Sequence, residues 1–127
     1  MSRQRPRYSS EITRAGGEKL FAGNGPDAVS GALQRACEAL KKGSCLELYY
    51  GSHSVIIEAH AVGFDHDHNP AVLGFERLEP FFEHSGEWRF LLLGEAKEVG
   101  VSGYFSEAPQ PGFHRNDERF SRIICEV

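Results

Sequence analysis

Chemistry in this chain would have to come from a short list of side chains. The one tryptophan is followed directly by an arginine, Trp88-Arg89. An indole beside a guanidinium suits anionic or planar ligands, because the ring stacks and the fork donates paired hydrogen bonds. Arg77 ends the preceding apolar run, and His60 lies within another, Ile57-Glu58-Ala59-His60-Ala61-Val62. Together His60, Arg77, Trp88 and Arg89 form the candidate ligand-binding set. The expected ligand is a small anion or a nucleotide-like molecule, with Arg77 and Arg89 on neighbouring strands. Glu58 and His60 are two apart and would share a strand face, a pair that more often faces solvent or a pocket rim than performs acid–base work.

Asp65-His66-Asp67-His68-Asn69 is the most polar cluster. Asp65, Asp67 and Asn69 fall at the first, third and fifth positions of a calcium loop, with Glu76 at the twelfth. Pro70 stands where that loop needs glycine, so the expectation is an ordinary turn. His66 and His68 could share a transition metal, but no third and fourth ligands are evident. No metal and no cofactor are expected. Gly100-Val101-Ser102-Gly103 lacks the spacing of a nucleophile elbow. No catalytic residue is assigned, and a non-enzymatic binding role is expected.

The elements that must position these residues follow from periodicity. Pro26 and Asp27 suit a first helical turn. Val29, Ala32, Leu33, Ala36, Cys37 and Leu40 recur at helical spacing, and Lys41, Lys42 and Gly43 provide a C-terminal end. This predicts a helix over about 26–42. Everything after Gly43 reads as short strands between 45 and 125, joined by turns at 51–53, 65–70 and 83–86, with 103–117 mainly loop. Val55, Ile57, Ala59 and Ala61 are expected on one face of the second strand. The domain is therefore 24–127. It is preceded by a flexible basic arm over 1–23, in which Arg3, Arg5, Arg7, Arg14 and Lys19 outnumber Glu11 and Glu18.

The chain has a formal charge of −4, and the basic arm makes the rest more acidic still. An acidic body repels a nucleic-acid backbone, so nucleic acid is expected to bind weakly if at all. No apolar run approaches membrane-spanning length and no apolar stretch follows the basic start, which predicts no membrane partner and a cytoplasmic location. Cys37, Cys45 and Cys125 are three and lack C-x-x-C spacing. The expectation is reduced thiols, with Cys37 a small hydrophobe on the helix stripe.

Ordered features from Leu46 to Val127 resemble the WYL domain family, particularly its short standalone members. They are a strand ending Tyr49-Tyr50-Gly51, the run Ile57-Glu58-Ala59-His60-Ala61-Val62-Gly63-Phe64, and a polar turn with Asn69. Gly86-Glu87-Trp88-Arg89-Phe90, Pro109-Gln110-Pro111-Gly112-Phe113 and Ile123-Ile124-Cys125 complete the set. The resemblance implies a mainly β fold: one N-terminal helix over a small, bent, five-stranded antiparallel Sm-like (SH3-like) barrel. It also implies a ligand-sensing or nucleic-acid-binding regulatory role, as in bacterial regulators. The naming Trp-Tyr-Leu triplet falls here on Ala71-Val72-Leu73, and two family arginines fall on Leu92 and Glu95. Loss of those donors opens the alternative: an interaction protein that keeps the barrel and homo-oligomerises without a ligand site.

Overall fold

The structure is a computed structural model that describes residues 26–77 and 86–127, with side chains from Val29 onward. The basic arm over 1–23 lies outside the described residues. One helix, α1 (Pro26–Lys42), precedes six strands: β1 (Ser44–Tyr50), β2 (His53–Asp65), β3 (Pro70–Arg77), β4 (Gly86–Leu92), β5 (Ala96–Phe105) and β6 (Phe120–Glu126). No helix is long and apolar enough to cross a membrane among the described residues.

The helix forms where its periodicity places it. Ala32, Ala36 and Ala39 are buried, flanked by half-buried Leu33, Cys37 and Leu40. Three alanines at the centre of the stripe let the helix axis come close to the sheet. Gly43 closes the helix in the left-handed region at φ 72°, its N–H donating to the Leu40 carbonyl at 3.3 Å.

All strand pairs are antiparallel. The sheet runs β4-β3-β2-β1-β5, and β6 adds to β2 beside β1. This is possible because β2 is 13 residues long. Its first half pairs with β1 through Ile57, and its second half with β6 from Ala61. The sequence pattern suggested about five strands in a barrel; among the described residues six form, and the sheet is not closed. It is nevertheless strongly curled. Laid flat, β4 and β5 would lie about 19 Å apart at the usual strand spacing. They are joined by a single 3-10 turn, Leu93–Glu95, whose chain reaches about 14 Å even fully extended. The two ends of the path must therefore bend toward each other.

Side chains separate onto two faces. The helix-side core contains Leu46, Leu48, Val55, Ile57, Ala59, Val62, Val72, Leu91 and Leu93 under the helical alanines. A smaller cluster on the far face contains Ala61, Ala71, Leu73 and Phe120, with Trp88, Phe90 and Phe113 packed against it. Ala61 was expected beside Ala59 but lies on the far face. Ala59 pairs with Gly74 and Ala61 with Leu73, so His60 is an extra residue, a bulge that shifts the alternation by one.

Cysteine is the second departure. Cys37 of α1 and Cys125 of β6 form a disulfide across 88 residues of sequence. Neither residue's local spacing could announce a partner that far away, which is why the sequence pointed to reduced thiols. Persistent disulfides belong to oxidising compartments, so the expectation of reduced thiols is not met at Cys37 and Cys125. Cys45 stays free and buried. Burial pushes its thiol up to about 11, with Arg77 opposing and Glu58 and Glu107 adding to the rise. It is protonated, and inert as a nucleophile, at neutral pH.

Candidate functional site

The buried polar side chains among the described residues gather around the bulge at His60. Glu58 lies on the far face by ordinary alternation with Ile57 and Ala59, and the bulge places His60 on that face too, where Arg77 arrives from β3 and Gln110 from the loop after β5. All four are buried: Glu58 and His60 are fully covered, Gln110 is 6% exposed and Arg77 8%. Buried polar groups persist only when their hydrogen bonds are made, and here they are. Arg77 donates from Nε and Nη2 to Glu58 Oε2 at 2.8 and 2.7 Å. Its Nη2 also reaches the Phe105 carbonyl at 2.6 Å. Glu58 Oε1 accepts from Gln110 Nε2 at 2.9 Å.

His60 uses both ring nitrogens. Nδ1 lies 2.8 Å from the Glu58 carbonyl, and a carbonyl only accepts, so Nδ1 carries the proton. Nε2 then accepts the Gln110 backbone N–H at 2.8 Å. The ring is therefore neutral. Burial holds its pKa below the ordinary value of 6.5, against the opposing pull of the Glu58 carbonyl and carboxylate. Trp88 meets His60 edge-on at 4.7 Å, and Phe113 packs on both rings.

Of the four residues expected to bind ligand, three come together. His60, Arg77 and Trp88 share the far face of the sheet. Arg89 does not join them. Successive residues of a strand point to opposite faces, so Arg89 lies with Leu91 on the helix side and forms a salt bridge with Glu76. It pairs in register with Gly74, while Arg77 pairs with Gly86. The two arginines are on neighbouring strands, as expected, but on opposite faces. Glu58 and Gln110 are the members the sequence reading left out of the set. A Glu-x-His in an apolar strand was the available signal for Glu58, whereas Gln110 stood in the noted Pro109-Gln110-Pro111-Gly112-Phe113 run with nothing local to link it to Glu58 or His60.

The Asp65–Asn69 cluster is a turn. Asp65 Oδ1 accepts the N–H groups of Asp67 and Asn69 at 2.9 and 2.8 Å. These bonds, Asn69's first, hold the Asp65 carboxyl below the usual range. His68 takes the positive φ of 65° that closes it, and His66 donates to the Glu118 carbonyl. Among the described residues, no three His, Cys, Asp or Glu side chains group to hold a metal. A cleft of about 240 Å³ lies away from the polar cluster, between β1 and β5, lined by Glu47, Leu48, Tyr49, Glu98, Gly100 and Val101.

Comparison with known proteins finds no matching family model, no matching curated protein and no matching solved structure.

Proposed function

We propose that this chain is a non-enzymatic interaction module with a WYL-like, Sm-like sheet, and that it acts through its surface and a second copy of itself rather than through a small-molecule pocket. The observation that carries this reading is internal: the donors and acceptors of His60, Arg77 and Glu58 are engaged by other groups of the same chain. A nucleotide or other anion arriving there would have to displace bonds already made in a water-poor setting, where they are strongest. The ordered motifs of the sequence and the short 3-10 connection before β5 support the Sm-like part of the reading.

The exposed features favour self-association. β5 ends the strand path, pairing with β1 on one side. Its first half is blunted by Lys97, by Glu98 at a positive φ of 53°, and by Arg35, which caps the Val99 carbonyl at 2.6 Å. Its second half ends in Phe105, which is 81% exposed. An exposed aromatic at the end of an edge strand is a natural place for a second copy to add its own strand. Light scattering during size exclusion, over a wide concentration range, should show the mass rising with concentration. Phe105→Glu should hold the protein monomeric at an unchanged melting temperature. A parent that stays monomeric throughout would remove the reading.

A further inference from the structure

The loop that covers the polar cluster gives it two hydrogen bonds from Gln110, one of which depends on His60. Ser106 N–H donates to the Gly43 carbonyl at 2.8 Å, fixing the start of the segment, and Phe120 N–H donates to Asp117 at its far end. Between these anchors Gln110 and Phe113 go down onto the sheet. Gln110 gives its backbone N–H to His60 Nε2 and its side-chain amide to Glu58. Phe113 lies on His60 and Trp88 at ring distances of 5.1 and 6.3 Å. Gly112, at φ 96°, brings the backbone against the indole: a Cβ there would sit 3.6 Å from Trp88 Nε1.

We propose that residues 106–113 form an acid-released strap, in which a solvent proton taken up by His60 Nε2 removes the acceptor of the Gln110 N–H and uncovers Trp88 and the polar cluster. The chemistry is one of hydrogen-bond sign. Neutral His60 accepts at Nε2; once protonated, Nε2–H faces the Gln110 N–H, donor against donor. Among the described residues, the acceptors bonded around the ring are already engaged. Nδ1 is occupied by the Glu58 carbonyl, and the Glu58 carboxylate is held by Arg77 and Gln110.

Among the described residues, the groups around His60 come from β2, β3, β4, β6 and the strap; β6 supplies Glu126, which pairs in register with Ala61 and is held by Arg115. Its own strand supplies Glu58, the charged group acting on it directly. β3 supplies Arg77, whose positive charge offsets that carboxylate. β4 supplies the uncharged Trp88, and the strap supplies Gln110 and Phe113. Glu107 of the strap and Cys45 of β1 act on the Arg77 side of the cluster. The C-terminal Val127 donates its N–H to the His60 carbonyl and holds the backbone while the ring titrates.

The direction with pH follows. Because burial holds His60 below 6.5 when the strap is closed, the opened state binds the proton more readily. Closure is therefore complete above that value, and weakens as pH falls from 6.5 through the closed-state pKa. Protection of the Gln110 amide against hydrogen exchange, corrected for intrinsic rate, should fall by about tenfold per pH unit while His60 charges. Amides of Val62 and Leu91 in the helix-side core should keep theirs. Trp88, the one tryptophan, reports the same event as a red shift of emission between neutral pH and about pH 5, with far-ultraviolet dichroism unchanged. His60→Gln keeps a carbonyl acceptor but cannot titrate, and should abolish the step. The proposal is overturned by Gln110 protection that does not change with pH, by protection lost together with that of the core, or by a step that persists in His60→Gln.

Discussion

Glu58→Ala should destabilise the fold by about 3–5 kcal/mol, the usual cost of breaking a buried ion pair by removing one partner. The reason is less the lost attraction than what is left behind. Arg77, 8% exposed, would keep its charge in the interior with only the Phe105 carbonyl and its remaining neighbours to satisfy it. Gln110 Nε2 would lose its acceptor as well. Against a typical domain stability of about 5–15 kcal/mol, such a loss leaves the variant close to unfolding at room temperature. Glu58→Gln retains an oxygen for the guanidinium and should cost less. Joint replacement of Glu58 by Leu and Arg77 by Met removes both charges and should recover part of the loss. Urea unfolding followed by circular dichroism ranks the three. If Glu58→Ala melts with the parent, Glu58 and Arg77 are not the buried pair described here.

Reducing the disulfide should be the other large perturbation. Cys37 and Cys125 close a loop of 88 residues, and a link of that length removes much freedom from the unfolded chain. Its loss should lower stability by about 2–4 kcal/mol. The effect should centre on β6, which the bond ties to α1 and which pairs with only the second half of β2 among the described residues. Thiol titration separates this from the reduced-cysteine expectation. Unfolded without reductant, the protein should show one reactive thiol, Cys45, of the three cysteines present. Folded, it should show little reaction, because that thiol is buried and its pKa lies near 11. Three thiols in the unfolded, unreduced protein would contradict the disulfide.

Local rules made the helix legible. A proline start, a stripe at helical spacing and a closing glycine are all contained within Pro26–Gly43, and the observed Pro26–Lys42 follows them. Most strands were legible for the same reason. What escaped depends on contacts distant in sequence or on one-residue shifts. The His60 bulge moves Ala61 to the other face, and no alternation count through Ala59-His60-Ala61 reveals an extra residue. Trp88 and Arg89 were paired because they adjoin in sequence, whereas in a strand adjacency puts side chains on opposite faces. The Glu58–Arg77 pair spans 19 residues and the Gln110–Glu58 bond 52, so the polar cluster could be collected only once β2, β3 and the strap were folded together.

The central claim is that the cluster of Glu58, His60, Arg77 and Gln110 is a closed internal structure and not a vacant ligand site. Titration of the folded protein at neutral pH with mononucleotides and a short single-stranded RNA, followed by Trp88 emission and by calorimetry, tests it most directly. Trp88 touches His60 at 4.7 Å, so any ligand entering the cluster must disturb its emission. The account predicts no saturable change in emission and no binding heat up to millimolar ligand; a saturable Trp88 response with matching heat would contradict it.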